Sequence, residues 1–419
     1  MSRPKRRHVR LAALAASVLL PLTAWSCGSD ITGPEPITEL PRDLSVTEQS
    51  LVEAGNAFAV RLLQQVHRAD PDRTVFLSPL SASMALGMTL NGAAGETRDQ
   101  MRAALGFGSM PMTEVDRAYR NLMDLLVGLD DRVEVQLANA IFHRDSFQME
   151  PTFLDTVRTY FDARVQGLDF ADPSAAEDIN AWVREATHGR IDGMVDPPIS
   201  PLTMAFLMNA VYFKGDWTRK FDAAKTYTGP FHLPGGSTRD VRFMTKSDTV
   251  SWRSGDGWDA VELPYGGGAF VMTLAVPHAD ATLDAVAGDL ASILDPDATW
   301  GTLKLDVHVP RFQLSYERVL NDDLEALGML DAFDPGRADF TPMFSGALEA
   351  QLHISKVKQK TFLKVDEEGT EAAAVTSVEV GVTSVPMAFR ADRPFLLAIR
   401  ERLSGTVLFA GFIVDAPTD

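Results

Sequence analysis

The 419-residue sequence holds side chains capable of chemistry, but not at the spacings that most chemistry needs. There is no G-x-S-x-G elbow, H-E-x-x-H helix, P-loop or G-x-G-x-x-G turn after a strand. Gly266-Gly267-Gly268 is the nearest approach to a glycine loop. With Pro264-Tyr265 before it and AFVMTLAVP after it, the run fits a hairpin turn better than a phosphate cradle. Eight scattered histidines and one cysteine, Cys27, exclude a Cys-based zinc cluster and any intrachain disulfide, so neither a metal nor a cofactor is expected. A Ser/His/Asp set assembled from remote positions stays open, without positive support.

What remains is one segment that does not read as an ordinary surface loop. Residues 366–394 read DEEGTEAAAVTSVEVGVTSVPMAFRADRP. From Thr370, alternate positions are Thr370, Ala372, Ala374, Thr376, Val378, Val380 and Val382, all small or β-branched, while the intervening set carries Glu371, Ser377 and Glu379. Such period-two segregation is that of a strand buried on one face, about 40 Å long at ~3.3 Å per residue. The second half, with two prolines, is loop-like. One segment thus joins the pattern of a strand buried on one face to a loop-like second half.

The rest of the chain must support that segment. At 45 % hydrophobic and 23 % charged it can bury a core, which excludes disorder for the bulk of it. The formal charge of -18, from 39 Lys plus Arg against 57 Asp plus Glu, argues against nucleic-acid partners. Residues 1–26 are set apart. Arg3, Lys5, Arg6, Arg7 and Arg10 precede the apolar run LAALAASVLLPLTA, which is shorter than the ~20 residues of a permanent span and reads as an export signal. Its removal takes five basic residues and no acids, leaving 34 against 57, or -23. Cys27 stands where a bacterial lipoprotein signal is cut and acylated, although Ala24 and Trp25 depart from that pattern; plain secretion after cleavage near Ser26 is the alternative. A lipid on Cys27 would be the one link to a membrane. Residues 27–44 look like a flexible tether.

Ser45 and Glu48 form a capping-box signal ahead of Leu51, Ala54, Phe58, Leu62 and Val66, predicting a helix from about 46 to 67. TVFLSPLSASMALGMTLNGAAGETRDQMRAALGF then predicts a short strand, a Ser-Pro break and two helices. From Arg132 onward strands dominate, among them LMNAVYFKGDW, the alternating LKLDVHVPRFQL and the final PFLLAIRERLSGTVLFAGFIV. AAEDINAWVREATHG and RVLNDDLEALGML read as helices. Without a regular βαβ rhythm or a repeat, the fold class is α+β: one domain over 45–416 with large mixed sheets and a helix-rich first third.

EEGTEAAAVT, FLSPLSASMALGMTLNGAAGETRDQM, LMNAVYFKGDW and the PFLLAIRERLSGTVLFAGFIV ending, in this order, resemble the serpins. The resemblance implies a suicide inhibitor of serine proteases, or of related cysteine proteases, acting as a monomer and not as an enzyme. Its reactive-centre loop would span about 367–393, with Glu367, Glu368, Gly369, Thr370, Glu371, Ala372, Ala373 and Ala374 as the hinge. The 25-residue spacing from Gly369 to Pro394 implies a scissile bond between Thr383 and Ser384, which suits elastase-like or subtilisin-like targets. Ser78, Pro79, Ser81 and Asn209 fit the positions that govern sheet opening, and Trp217 fits the tryptophan where the loop enters. Gln359 stands where a histidine is frequent, so a pH dependence due to that histidine should be absent. Arg117 and Arg120 are too few for a heparin site. A non-inhibitory serpin-fold binding module at the cell surface is the alternative; bulky, charged or proline residues at 372–374 would favour it, and there are none.

Overall fold

The computed structural model describes residues 36–201, 203–345, 352–370 and 387–416. The expected export signal of residues 1–26, and Cys27, Glu371, Ala372, Ala373, Ala374, Thr383 and Ser384, lie outside the described residues.

The first third is helical: α1 Val46–Ala69, a short strand β1 Val75–Leu77, α2 Pro79–Leu90, α3 Gly95–Leu105 and α4 Met112–Val127. The capping box forms as its spacing requires, with Ser45 Oγ accepting from Glu48 N and Ser45 N donating to Glu48 Oε2 at 2.6 Å. Ser78 caps α2 through its hydroxyl, and Pro79 occupies the first turn, where a missing N–H costs nothing. Eleven of the twelve α2 residues are buried, so this helix is apolar all round and must run through the interior.

Strands β2 Val133–Arg144 and β3 Arg164–Leu168 flank α5 Pro151–Phe161, and α6 Ser174–Ala186 leads to β4 Ala205–Asp216. There follow β5 Tyr227–His232, β6 Thr238–Gly255, β7 Trp258–Tyr265, β8 Phe270–Pro277, α7 Leu283–Gly288, α8 Leu290–Ile293, β9 Gly301–Pro310, β10 Phe312–Val319, α9 Asn321–Ala326 and β11 Lys358–Val365. The two-residue β12 Gly369–Thr370, β13 Ala388–Arg390, β14 Phe395–Glu401 and β15 Val407–Ile413 complete the chain. Nine strands form a sheet in the order β1-β15-β14-β8-β7-β6-β9-β13, with β5 on β6. Its strands β8, β14 and β15 are buried along their whole length, as their largely apolar runs demand, and the buried Arg400 of β14 is paired with Glu262 of β7. A second sheet runs β12-β4-β2-β3, and β10 pairs with β11 alone. The α+β class is thus observed.

Gly266–Gly268 turns β7 into β8, with Tyr265 opposite Phe270, as the hairpin reading expects. One helix is shorter than its periodicity suggests. Arg318 and Val319 end β10, opposite Gln359 and Lys358, and α9 begins only at Asn321. Cross-strand pairing and the ion pairs of Arg318 with Asp323 (2.6 Å) and Asp70 (2.6 Å) outweigh local helix propensity there. The expected tether also ends early: Ile37, Leu40 and Leu44 pack against the core.

Candidate functional site

The sheet that begins with β12 is incomplete in an informative way. Among the described residues no backbone pairing joins β4 to β11, yet Val211, Tyr212 and Phe213 of β4 and Phe362 and Leu363 of β11 line one cleft with Thr370. At its head the chain reverses. Asp366 N donates to Gly369 O at 3.0 Å, closing a turn, and Gly369–Thr370 then runs antiparallel to β4, with Gly369 opposite Asp216 and Thr370 opposite Gly215. Gly369 has φ of +153°, and a Cβ there would sit 2.1 Å from Gly215 O and 2.7 Å from Asp216 Cα, so only glycine lets the backbones meet. Thr370 is 4 % exposed, and its hydroxyl lies 3.0 Å from that of Tyr265, so it faces inward. Burial pushes the Tyr265 phenol's pKa up, only partly offset by this hydrogen bond.

Asp366, Glu367 and Glu368, three successive acids, are buried here at 5 %, 5 % and 8 % exposure, which obliges each to find partners. Asp366 takes Lys364 at 2.9 Å and the backbone N–H of Glu368 at 3.0 Å. Glu367 receives Thr226 Oγ1 at 2.7 Å and Arg311 Nη1 at 3.0 Å. Glu368 meets Lys220 at 3.4 Å. Trp217 holds the turn from the other side, donating N to Glu368 O at 2.8 Å and Nε1 to Asp366 O at 2.9 Å; Phe221 N donates to Glu367 O at 2.8 Å. The indole stacks on Tyr265 at 4.5 Å and 11°. Lys246 places its ammonium 4.4 Å from the Phe221 ring centre and 5.9 Å from that of Trp217; burial lowers its pKa to about 8, against the pull of Asp248. Glu367, Glu368, Gly369, Thr370 and Trp217 are therefore brought together. Arg311, Thr226, Tyr265, Phe221 and Lys246 come from separate elements and carry no local motif.

Deeper in the cleft a second cluster ties its two walls to α2. Gln359, on β11, accepts from Ser78 N at 3.0 Å and donates to Ser78 O at 2.8 Å. The Ser78 hydroxyl donates to Leu408 O on β15 at 2.8 Å. Ser81 Oγ, in the same first turn of α2, donates to the backbone O of Asn209 on β4 at 3.2 Å. Asn209 Nδ2 reaches Asn139 Oδ1 on β2 at 2.8 Å, and Asn139 Nδ2 reaches Phe161 O at 2.7 Å. The N-terminus of α2 thus grips β4 and β11 by different serines, and the glutamine satisfies both polar groups of a peptide without a titrating proton. Among the described residues Asn209 Oδ1 is buried without a hydrogen-bond partner.

Comparison with known proteins agrees with this geometry. A family model described as Serpin (serine protease inhibitor) matches residues 53–416. Glia-derived nexin of Mus musculus is 31 % identical over 374 residues, 86 % of this chain and 92 % of the relative. Serpin B6 of Macaca fascicularis is 34 % identical over 376 residues, 86 % and 98 % of the two chains. Among solved structures, the thermophilic serpin tengpin in its native state superposes with a TM-score of 0.79 at 27 % identity, covering 91 % of this chain and 97 % of that one. The chain belongs to the serpin family.

Proposed function

We propose that this protein inhibits serine proteases, with related cysteine proteases as further targets, by acting as a suicide substrate whose cleaved loop becomes a strand between β4 and β11. One observation carries the reading: these two strands are not paired with each other among the described residues, and Gly369–Thr370 already pairs with β4 at the head of the cleft between them. The protease serine Oγ adds to the Thr383 carbonyl carbon, the Thr383–Ser384 C–N bond breaks, and the Ser384 amine leaves with a proton from the protease's own base. Thr383 remains as an ester on the protease. Insertion of the fourteen residues from Thr370 to Thr383, about 45 Å of strand, carries that ester away from the hinge before water can release it. The uncleaved state is then a kinetic trap above a more stable inserted one.

The start of insertion fixes its phase. Because Thr370 faces inward, so would Ala372, Ala374, Thr376, Val378, Val380 and Val382, the small and β-branched set. Continuing the register one residue for one sets Ala372 against Phe213, Ala374 against Val211 and Thr376 against Asn209. The Thr376 hydroxyl would thereby meet the buried, partnerless Asn209 Oδ1. On the outer face Glu371 would lie against Lys214, an opposite charge. Small β-branched Thr383 suits a shallow apolar specificity pocket, so elastase-like and subtilisin-like proteases are the proposed targets. Export, with Cys27 as a lipid anchor, is part of the same proposal; mass spectrometry of the mature N-terminus tests it.

Mixing the purified chain with such proteases should give an SDS-stable covalent complex at near-equimolar ratio. Complete loop cleavage with active protease and no complex would leave a binding module in its place.

A further inference from the structure

The three-glycine turn takes no part in insertion, yet another segment is built onto it. Ile37 N donates to Gly267 O at 2.8 Å, Arg402 Nη2 donates to Ile37 O at 3.4 Å, and the half-buried Ile37 side chain lies on the turn. A Cβ on Gly267 would stand 3.0 Å from Ile37 Cδ1, and one on Gly266 2.6 Å from Asp130 Oδ2. The turn is bare where these two side chains rest. Asp130, 6 % exposed, fixes it from below by accepting Gly267 N at 2.8 Å. Downstream, Leu40 packs on the core and Arg42 forms a two-pronged ion pair with Glu48, at 2.9 and 2.7 Å, on the first turn of α1. Burial would raise the Glu48 pKa, but Arg42 and Ser45 hold it down to about 2, so this end stays pinned across the physiological range. Residues 37–42 are thus a strap fastened at both ends.

On its other side the same turn holds the end of β4. Gly266 N donates to Asp216 O at 2.8 Å, Thr218 Oγ1 donates to Gly266 O at 2.8 Å, and Thr218 N donates to Pro264 O at 2.8 Å. Asp216 is the residue that faces Gly369, and Trp217 follows it. Contacts therefore run without a break from Ile37 through Gly267 and Gly266 to Asp216 and the hinge. Spreading of the cleft at its head moves the end of β4, and with it the turn on which the strap sits.

We propose that the 37–42 strap restrains the opening of the cleft between β4 and β11: docked, it holds the end of β4; released, it lets the cleft open. The restraint is a property of the folded chain and is independent of whether a protease is trapped.

The test needs no protease. In the full chain, Ile37→Asp removes the apolar anchor, and Gly267→Val expels it from the receiving side; Ile37→Ala is a milder truncation that leaves the remaining fold intact. Amide hydrogen exchange at Gly266 and Trp217 should be about tenfold faster in Ile37→Asp and Gly267→Val, and a few-fold faster in Ile37→Ala, with β14 and β15 unchanged. The double variant Ile37→Asp/Gly267→Val should be no faster than either single one, because both remove the same contact. Unchanged exchange at Trp217 in Ile37→Ala and Ile37→Asp, or fully additive effects in the double variant, would overturn the proposal. Absence of any protease complex would sink the inhibitor reading and leave this pattern unaffected.

Discussion

Replacing Gln359 by Leu tests the grip of α2 on β11 at near-constant volume. The side chain is 7 % exposed, and its partner Ser78 is 2 % exposed. Two hydrogen bonds, at 3.0 and 2.8 Å, disappear together, leaving the Ser78 N–H buried without a partner and the Ser78 C=O with only the Ala82 N–H, at 3.1 Å. The orphaned N–H costs ~1–3 kcal/mol and the second lost bond ~0.5–1.5 kcal/mol, so the variant loses about 1.5–4.5 kcal/mol, with little cavity contribution because Leu fills the space. Unfolding entropy of ~2.1 cal/mol/K per residue is about 0.8 kcal/mol/K for a domain of roughly 370 residues, so the thermal midpoint falls by about 2–6 °C. Differential scanning calorimetry reads this directly, at several scan rates because the proposed function makes the native state a kinetic trap. Lys358→Met on the same strand keeps the buried stem and removes the ion pairs with Glu317 and Asp196, whose carboxylates are exposed, and should shift the midpoint by about 1 °C or less. A Gln359→Leu midpoint equal to that of Lys358→Met would refute the reasoning. Loss of the β11 anchor should also widen the cleft, so the variant should convert faster to a loop-inserted form on warming.

Three further outcomes follow from the same contacts. Asp116, 1 % exposed on α4 with Asn91 as hydrogen-bond partner, has its pKa raised by burial to about 6. The folded value lies above the unfolded one near 4, so the penalty is absent below about pH 4, grows between 4 and 6 and is complete above; Asp116→Asn should add about 2–3 kcal/mol at pH 7.5 and nothing below pH 4, read by urea titration. Gly369→Ala forces a Cβ to within 2.1 Å of Gly215 O, so β12 must leave β4. Titration against a trapped protease should show the stoichiometry of inhibition rising severalfold, and an unchanged value would contradict the hinge assignment. Thr370→Arg puts a cation where the native side chain is 4 % exposed, and Ala372→Pro removes a strand N–H; both should turn the inhibitor into a cleaved substrate on SDS gels.

Where a feature depended on neighbours in sequence, it could be read before the structure. The Ser45–Glu48 box, the Ser78-Pro79 start of α2, the Gly266–Gly268 turn and the small-residue run after Gly369 each need only a few consecutive residues. The candidate site was legible in outline because Gly369, Thr370 and Trp217 sit in recognisable strings. Its partners were not: Thr226, Tyr265 and Arg311 meet Glu367 and Thr370 across separations that no period records. Arg318 and Val319 read as helix because the strand that claims them lies forty residues further on. Ile37 looked like tether for the same reason, since its binding surface is a bare turn more than two hundred residues away.

The most direct test of strand insertion is the crystal structure of the chain after cleavage in its loop. Insertion predicts a new strand between β4 and β11, antiparallel to β4, continuing from Gly369–Asp216 and Thr370–Gly215 to place Thr376 beside Asn209. A cleaved chain in which residues 371–382 stay outside the sheet and the cleft is unfilled would contradict it.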